Sequence, residues 1–354
     1  MEKFRVLQKL GSGSFGNVYK ASLKEDENEV FAIKELKSEF GNNMSFQDCL
    51  DMIEIKCLRT LKHPNIIRLQ EVIRRSSSLF LVFECMDGSL RDRILKRKGY
   101  FSEDETKKFC FQILKGLAYI HRNGFFHRDL KPENILVSGE SVKIADFGSA
   151  KEINSKPPYA DYVTTRWYRA PEVILGEERY GPAVDMWAMG AIMAEFFGTF
   201  ALFPGEDSRD QLYQICRVLG SPTETEWPKG HELAKRCDYE FPKIDEDKEG
   251  VPLCYKIPFA KEEAFDLIKS LLRWDPSKRA TAMEALKHPF FDSCYNPVIT
   301  STRISFKRKM NMESAEEEED QRADDNDFYN KLFGNKRRKR AIRTKATLNL
   351  ELML

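Results

Sequence analysis

The chain has 354 residues, and its 57 Lys and Arg nearly balance its 56 Asp and Glu, for a formal net charge of +1. An apolar fraction of 42% is enough for a folded core and excludes a wholly disordered protein, while near-neutrality excludes a general polyanion binder, so nucleic acid is not an expected partner. The sequence contains no apolar leader and no apolar run long enough to cross a membrane, which predicts a soluble intracellular protein.

Residues 1–86 have the pattern of a small, sheet-rich lobe with one helix. The runs FRVLQKL, VYKASL and VFAIKEL predict three strands, and LQEVIRR and LFLVFE predict two more. Between these groups, Ser45 and Asp48 form a capping box that opens a helix whose apolar stripe runs to Leu61.

Residues 87–292 predict a larger and mainly helical lobe. Ser102 and Glu105 form a second capping box in front of a helix, and the short runs ILVS and VKIADF predict strands before helical periodicity returns. Together the two parts predict an α+β fold.

Residues 293–354 differ in character because their charges are segregated. Nine acids and one Arg lie within 313–327, and eight bases without an acid lie within 331–345. Such charge runs are usually solvated and disordered. The basic run 336–340 is alternatively a nuclear-localisation or anionic-surface patch, which the acidic run could mask by folding back.

Three glycines lie in the turn between the first two predicted strands. Gly11, Gly13 and Gly16 have the spacing of a loop whose backbone N–H groups approach a phosphate without a Cβ in the way. The pattern alone is weak, since a plain hairpin turn is about as good an explanation. A dinucleotide-binding site is excluded, because it needs a helix directly after the third glycine and here the strand VYKASL follows.

Lys34 stands in an otherwise apolar strand, and the predicted helix carries a possible partner for it. A lysine there could simply extend to water from an edge strand. Glu54, however, lies on or beside the apolar face of the helix, where an unpaired carboxylate is costly. A Lys34–Glu54 ion pair would satisfy both groups and direct the ammonium at the phosphates of a nucleotide.

Three motifs decide the family: HRDLKPEN at 127–134, DFG at 146–148 and APE at 170–172. With the preceding features, and in this order, they make the sequence resemble the eukaryotic protein kinases over residues 4–291. The resemblance implies a two-lobed kinase fold, with ATP and Mg²⁺ as cofactors and Mn²⁺ as an alternative ion. It also implies transfer of the γ-phosphate of ATP to a protein hydroxyl.

The resemblance assigns a role to each motif residue, in a reaction that depends on positioning and charge neutralisation. Asn134 and Asp146 would bind the metal, and Asp129 would orient the substrate hydroxyl and accept its proton. Lys131 would neutralise charge on the transferring phosphoryl group, and a lysine there is typical of serine/threonine kinases. Lys34 and Glu54 complete the catalytic set.

An ATP-binding pocket is implied as well, formed by the glycine-rich turn, apolar residues around the adenine and the backbone of a hinge. Its residues are Leu10, Gly11, Gly13, Gly16, Val18, Ala32, Lys34, Phe83, Glu84, Met86 and Leu136. Val18 and Ala32 would enclose the adenine, and Phe83 takes the gatekeeper position.

Three further residues match structural positions of the family. Asp185 would hold the backbone of the catalytic loop, and Glu172 and Arg279 would form a buried ion pair. We expect the removal of either partner of that pair to be costly for stability rather than directly for catalysis. His121 fits no partner pattern, and we assign it no role.

The string TRWYRAPE at 165–172 resembles the group that holds the MAP kinases and cyclin-dependent kinases. In that group the position of Arg169 favours a proline after the phosphoacceptor, which implies protein substrates with Ser/Thr-Pro. Within the group, HRNGFFHRDLKPENIL, GVPLCYK and the segment from DFG to APE resemble the MAK/MOK (RCK) subfamily, with MOK-like kinases closest. The string DFGSAK also matches glycogen synthase kinase-3, which remains the alternative.

No PSTAIRE-like string occurs in the predicted helix, so we expect no cyclin partner. We also expect a monomer. The expected location is the cytoplasm, with the nucleus as an alternative. A role in the control of cilium or flagellum length is implied by the resemblance only.

The segment before APE holds the expected regulatory residues. Arg166 and Arg169 match a pair that receives a phosphotyrosine, so Tyr162 is a predicted phosphorylation site. The subfamily carries T-x-Y here, but Ala160 occupies the threonine position, so Arg128 lacks the phosphothreonine it would bind. Three explanations stay open: activation through Tyr162 alone, a segment ordered without phosphate, or an introduced Thr→Ala substitution.

Two rival functions belong to other classes. The first is a pseudokinase scaffold that binds partners without catalysis, and the presence of the whole catalytic and metal-binding set argues against it. The second is a nucleic-acid-binding protein that works through the basic tail.

Overall fold

The computed structural model describes residues 1–13, 16–36, 45–75, 78–97, 99–159, 166–198, 200–244 and 250–295. The regulatory positions Ala160 and Tyr162, and the charged tail from residue 296 onward, lie outside these ranges.

A five-stranded antiparallel sheet forms the N-terminal part, in the strand order β1-β2-β3-β5-β4. Its strands are β1 (Phe4–Gly13), β2 (Gly16–Leu23), β3 (Val30–Leu36), β4 (Leu69–Arg75) and β5 (Ser78–Glu84). β3 is the middle strand, and its register with β5 places Lys34 opposite Leu81. All five predicted strands are present, and the residue expected to bind phosphate lies on the middle strand of the sheet.

The helix predicted after Ser45 is two helices, α1 (Phe46–Asp51) and α2 (Ile53–Thr60). Ser45 makes the predicted reciprocal capping box with Asp48. The single continuous helix was wrong, because Met52 adopts an extended backbone with ψ of 136°. Hydrophobic periodicity reports which face is buried and not the dihedral angles of one residue, so the stripe through Cys57 and Leu58 concealed the break.

The C-terminal part is mainly helical. Its helices are α3 (Leu90–Lys96), α4 (Glu103–Arg122), α5 (Pro171–Ile174), α6 (Ala183–Phe197), α7 (Ser208–Leu219), α8 (Pro228–Arg236), α9 (Leu253–Lys256), α10 (Glu262–Leu271), α11 (Ala282–Leu286) and α12 (Asp292–Tyr295). α6 is buried from Val184 to Phe197, and α4 and α10 pack against it. α12 runs across the boundary predicted between residues 292 and 293.

The second predicted capping box is only half present. Ser102 accepts a hydrogen bond from the backbone N–H of Glu105. The carboxylate of Glu105 instead pairs with Arg93, at 2.9 Å. A tertiary ion pair has therefore replaced the local return bond that the sequence pattern predicts.

Short strands bring the two key loops together. β6 (Gly88–Ser89), β8 (Ile135–Ser138) and β9 (Ser141–Ile144) form one small sheet, and β7 (Phe125–Phe126) pairs with β10 (Lys151–Glu152) in another. The loop after β7 and the turn after β9 are further joined by a hydrogen bond of 2.8 Å from Ala145 N–H to the Asn134 carbonyl. The HRDLKPEN and DFG motifs are therefore neighbours in space.

One hydrophobic core connects the two parts. It extends from Leu58 on α2 and Leu69 on β4, through Phe147 of the DFG motif, to the buried faces of α4 and α6. The ring of Phe147 packs edge-on against His127, with centroids 5.1 Å apart. The predicted α+β arrangement of two lobes is confirmed. Among the described helices, none has the length and apolarity that a membrane span requires.

Candidate active site

Lys34 lies between two carboxylates that come from different parts of the fold. Its Nζ is 2.8 Å from Oε1 of Glu54 on α2 and 3.0 Å from Oδ1 of Asp146 in the turn after β9. The predicted Lys34–Glu54 ion pair is therefore present. The second contact was not predicted, and it joins β3 directly to the DFG motif.

The charges of these three groups are set by burial and by one another. Burial of Lys34 acts to lower its pKa, but attraction to Glu54 and Asp146 outweighs burial, and the pKa is raised. Burial raises the pKa of Glu54, with Lys34 opposing it. Asp146 is the most exposed of the three, at 29%, and Lys34 lowers its pKa although burial acts to raise it. At neutral pH Lys34 is thus a cation and Asp146 an anion.

Asp129 is held by two residues of its own loop. Its Oδ2 accepts hydrogen bonds from Nζ of Lys131 at 2.8 Å and from Nδ2 of Asn134 at 3.0 Å. Nδ2 of Asn134 also donates to the backbone carbonyl of Asp129, at 2.8 Å. Because an ionised carboxylate only accepts, the amide nitrogen of Asn134 must face Asp129, and its amide oxygen stays available to a ligand.

Asp185 holds the backbone of the same loop through two hydrogen bonds. Its Oδ2 accepts from the N–H of His127 and its Oδ1 from the N–H of Arg128, both at 2.8 Å. Nε2 of His121, to which we assigned no role, lies 2.8 Å from Oδ2. Burial acts to raise the pKa of Asp185, but the hydrogen bond and charge of His121 lower it. The predicted contact of Asp185 with the loop is present, and His121 completes it.

Two residues of the site have left-handed backbones. Arg128 has φ of 71° and Asp146 has φ of 62°. For a residue other than glycine, such a conformation costs on the order of 1–3 kcal/mol. The bonds from Asp185 to the loop and from Lys34 to Asp146 hold these strained positions in place.

The side chain of Arg128 has partners that the sequence did not indicate. Nε and Nη2 donate to the hydroxyl of Tyr180 at 3.0 and 2.5 Å, and Nη1 donates to the Ser149 carbonyl at 3.1 Å. The guanidinium also lies 5.4 Å from the ring centroids of Tyr159 and Tyr180. Both tyrosines are more than 30 residues away along the chain, so no local motif could have revealed them.

The predicted ion pair between Glu172 and Arg279 is present and bidentate. Nη1 and Nη2 of Arg279 each lie 2.6 Å from an oxygen of Glu172, and both side chains are almost fully buried. Arg279 also donates to backbone carbonyls and lies over the ring of Trp187 at 5.0 Å. The pair therefore joins the APE motif to the segment before α11 and to α6.

The glycines of the first turn meet different demands. Gly16 has φ of 142°, and a Cβ there would lie 1.8 Å from the Glu35 carbonyl oxygen, so the fold itself requires glycine. A Cβ at Gly11 would meet no atom of the described residues within 4 Å. Gly13 pairs with Gly16 where the hairpin closes. Protein packing explains Gly16 but not Gly11, which is consistent with open space for a ligand at Gly11.

The apolar residues predicted around the adenine differ in exposure from the core of the sheet. Val18, Ala32, Met86 and Leu136 are half-buried, and Leu10 is exposed. Side chains of this kind have an apolar surface that the protein itself does not cover.

Phe83 and Glu84 lie at the end of β5, where the predicted hinge begins. Phe83 is buried. The carboxylate of Glu84 is 3.0 Å from Nζ of Lys143 and accepts from the N–H of Arg68 at 2.8 Å. The Glu84 side chain therefore has partners within the protein, and any contact with a base would come from the backbone.

Arg166 and Arg169 are the predicted phosphotyrosine receptors. Arg166 begins a short 3-10 helix, Arg166–Tyr168, and Arg169 follows it directly. Nε of Arg166 is buried and has no hydrogen-bond partner among the residues that the structure describes. Arg169 lines a small cavity together with Arg128 and Asp129. Tyr162 itself lies outside the described residues.

The protein kinase domain model matches residues 4–291, so the chain belongs to the protein kinase family. Among curated proteins it is similar to Cyclin-dependent kinase F-3 of Oryza sativa subsp. japonica, with 49% identity over 292 residues, which cover 82% of this chain and 66% of that protein. It is 43% identical to Serine/threonine-protein kinase MAK of Homo sapiens over 314 residues, which cover 88% and 49%. To Serine/threonine-protein kinase ICK of Rattus norvegicus it is 44% identical over 310 residues, which cover 87% and 48%.

These matches confirm the predicted resemblance to the protein kinases and, within them, to the MAK-type kinases. The matched region spans about half to two thirds of the length of these relatives.

Proposed function

We propose that the protein is a serine/threonine kinase that transfers the γ-phosphate of ATP to protein substrates. The observation that carries the proposal is the convergence of Lys34 and Asp146 at 3.0 Å, next to a loop in which Asp129 is held by Lys131. The names of the MAK and ICK relatives support serine and threonine as acceptors. The proposed limits are 1–86 for the smaller lobe, 87–292 for the larger and 293–354 for the tail.

The residues present fit a divalent cation. Asp146 offers an ionised carboxylate, since its pKa is lowered, and Asn134 has an amide oxygen that its contacts to Asp129 leave available. Such hard oxygen ligands suit Mg²⁺, which also keeps water and phosphate oxygens in its coordination shell. When bound, Mg²⁺ or Mn²⁺ with ATP supplies the phosphoryl group and offsets its charge.

The protein's own residues then position the reaction. Lys34 binds phosphate oxygens, and Glu54 directs its ammonium. Asp129 receives the proton of the substrate hydroxyl, and Lys131, 2.8 Å from Asp129, offsets charge on the transferring group. The backbones of Glu84 and Met86 bind the adenine, and half-buried apolar side chains enclose it.

A phosphorylation assay with a generic basic protein and Mg²⁺ tests the proposal. Asp146→Asn should lose at least about a hundred-fold in rate, because it removes the anionic metal ligand. Mn²⁺ in place of Mg²⁺ should support wild-type activity. Equal rates for the wild type and Asp146→Asn would instead favour the pseudokinase scaffold.

We propose that a proline after the phosphoacceptor is favoured. Arg169, in the segment TRWYRAPE, stands where the resemblance expects the pocket for that proline. A peptide-library screen should show proline enriched directly after the phosphoacceptor. If no residue is preferred at that position, this part of the proposal is wrong.

Phosphorylation of Tyr162 is the proposed activating modification. Within the described part of the chain the buried Nε of Arg166 has no partner, which supports a role in binding an anion, because an unsatisfied buried donor costs roughly 1–3 kcal/mol. Activity should therefore increase with Tyr162 phosphate and fall in Tyr162→Phe. A Tyr162→Phe protein that turns over substrate as fast as the wild type would contradict this role. As a control, a phosphotyrosine-specific stain should show that the wild-type protein in the same assay is phosphorylated.

Independence of cyclin and a monomeric state are proposed from the sequence of the α1–α2 region, which holds no PSTAIRE-like string. Because one relative is named a cyclin-dependent kinase, the question needs a direct test. Purified protein without a partner should show full activity and a monomer mass by light scattering.

The proposed location is the cytoplasm, with the nucleus as the alternative if the basic run 336–340 is a localisation signal. A ciliary or flagellar role remains a proposal from resemblance alone.

A further inference from the structure

Two aromatic rings, Tyr159 and Tyr180, lie over the guanidinium of Arg128, and Phe126 packs against both of them. We call Phe126, Tyr159 and Tyr180 the aromatic cage. The ring centroids are 5.9 Å apart for Phe126 and Tyr159, 6.1 Å for Phe126 and Tyr180, and 5.1 Å for Tyr159 and Tyr180. All three pairs pack edge to face, an arrangement that favours fixed ring positions. The cage is therefore a closed cluster in which each ring contacts the other two.

The cage joins three separate segments of the chain. Phe126 belongs to β7 and directly precedes the HRDLKPEN motif. Tyr159 lies between the DFG and APE motifs, and Tyr180 lies between α5 and α6. Its hydroxyl accepts two hydrogen bonds from Arg128, and the rings of Tyr159 and Tyr180 add cation–π contacts at 5.4 Å.

Arg128 transmits this contact to the catalytic loop. Its backbone is left-handed, with φ of 71°, and its N–H donates to Asp185. Asp129 is the next residue, so Arg128 and Asp129 belong to one backbone segment, which Asp185 holds. A hydrogen bond to a charged group is stronger than one between neutral groups, so the two bonds to Tyr180 help to hold one strained residue.

We infer that Tyr180 and Tyr159 are positioning residues that anchor Arg128, and through it Asp129, without any phosphate. The inference deepens the proposed kinase function and rests on it. Of the three explanations for Ala160, it favours a segment that is ordered without phosphate. The hydroxyl of Tyr180 and the rings of Tyr159 and Tyr180 contact the guanidinium that a phosphothreonine would otherwise bind. The order of the catalytic loop is then built into the unmodified chain, and phosphate at Tyr162 acts on Arg166 and Arg169 instead.

The test uses the full chain, treated with phosphatase, and three variants. Tyr180→Phe removes the acceptor and keeps the ring, and Tyr159→Leu removes one ring face. Tyr255→Phe is the matched control, because it deletes a hydroxyl from a tyrosine that is 67% exposed. Steady-state kinetics with ATP and a basic protein are measured for each, together with hydrogen exchange of the peptide that covers residues 125–131.

Tyr180→Phe should lower kcat at least about ten-fold, because it removes the acceptor of two hydrogen bonds from a charged group, and should leave the KM for ATP within about two-fold. Tyr159→Leu should lower kcat by a smaller factor. In both variants the 125–131 peptide should exchange faster, whereas Tyr255→Phe should match the wild type in every measurement. Phosphatase treatment should leave the exchange of the wild-type peptide unchanged.

Two results would overturn the inference. One is wild-type kcat and exchange in both cage variants, and the other is faster exchange of the 125–131 peptide in the wild type after phosphatase treatment. Failure of the kinase proposal is a separate outcome. It would appear as equal phosphorylation by the wild type and Asp146→Asn, and the exchange measurement would still decide the cage.

Discussion

Lys34 forms ion pairs with two carboxylates, and burial affects the pKa of each of the three groups. Attraction to Glu54 and Asp146 raises its pKa, yet burial also raises the pKa of Glu54. The negative charge of Asp146 also raises the pKa of Glu54 and so offsets part of the lowering that Lys34 causes. The ion pair therefore directs the ammonium more than it stabilises the fold.

A Glu54→Gln substitution separates these effects. A raised folded-state pKa means that Glu54 favours the fold below its ordinary pKa near 4 and loses that contribution as the pH rises. At pH 7 the substitution should thus change the unfolding free energy by less than about 1 kcal/mol, while kcat/KM falls about 10- to 100-fold because Glu54 no longer positions the Lys34 ammonium.

Lys34→Met is the contrasting variant, since it leaves two carboxylates unpaired and should destabilise by about 3 kcal/mol. Urea unfolding and initial rates measure both, and a Glu54→Gln protein as unstable as Lys34→Met would contradict the argument.

Asp185 has the opposite dependence on pH. Its pKa is lowered, so its contribution to stability is present above the ordinary pKa near 4 and is lost as the pH falls through the lower folded-state value. Asp185→Asn should cost about 2–3 kcal/mol at pH 7, because two backbone donors lose a charged acceptor. The difference from the wild type should shrink below about pH 4 in urea unfolding. A difference that stays constant down to pH 3 would show that Asp185 does not stabilise the loop through its charge.

Among the elements, the β1–β2 hairpin gives a matched pair of glycines. Gly16→Ala should destabilise by at least about 2 kcal/mol, because it combines a positive φ with a clash against the backbone of Glu35. In Gly11→Ala the added Cβ meets no atom of the described residues within 4 Å, so the unfolding free energy should stay unchanged. If the glycine turn approaches the phosphates of ATP, as the sequence predicts, Gly11→Ala should instead raise the KM for ATP several-fold. Thermal unfolding and ATP titration of the same two proteins measure this, and an unchanged KM would place the nucleotide elsewhere.

The α1–α2 break and the half-formed Ser102 cap show where element prediction stops. Apolar periodicity and cap residues locate the helices, because these signals depend on neighbours within one or two turns. Met52 and Glu105 depart from the pattern for different reasons. The backbone at Met52 is extended, and the carboxylate of Glu105 is engaged by Arg93 on another helix.

For the whole molecule, Met1–Cys294 forms one compact unit with a continuous core. Deleting residues 296–354, which keeps α12 whole, should therefore retain kinase activity within about two-fold, since a unit with its own core folds alone. Loss of nuclear signal in the same deletion would support the localisation patch, whereas no change would favour a solvated tail. A large loss of activity with an unchanged melting temperature would show that the tail takes part in catalysis.

The sequence by itself determined the family, the order of the strands and helices, and the pairs Lys34–Glu54 and Glu172–Arg279. The elements and the Lys34–Glu54 pair follow from local periodicity and from the cost of an unpaired carboxylate, whereas the family and the Glu172–Arg279 pair are implied by the resemblance of the motifs to those of the protein kinases. Only the tertiary structure decided that Tyr180 contacts Arg128 and that His121 contacts Asp185. Neither Tyr180 nor His121 belongs to a motif, so these contacts depend on how the helices and strands pack, and no pattern in the sequence carries that information.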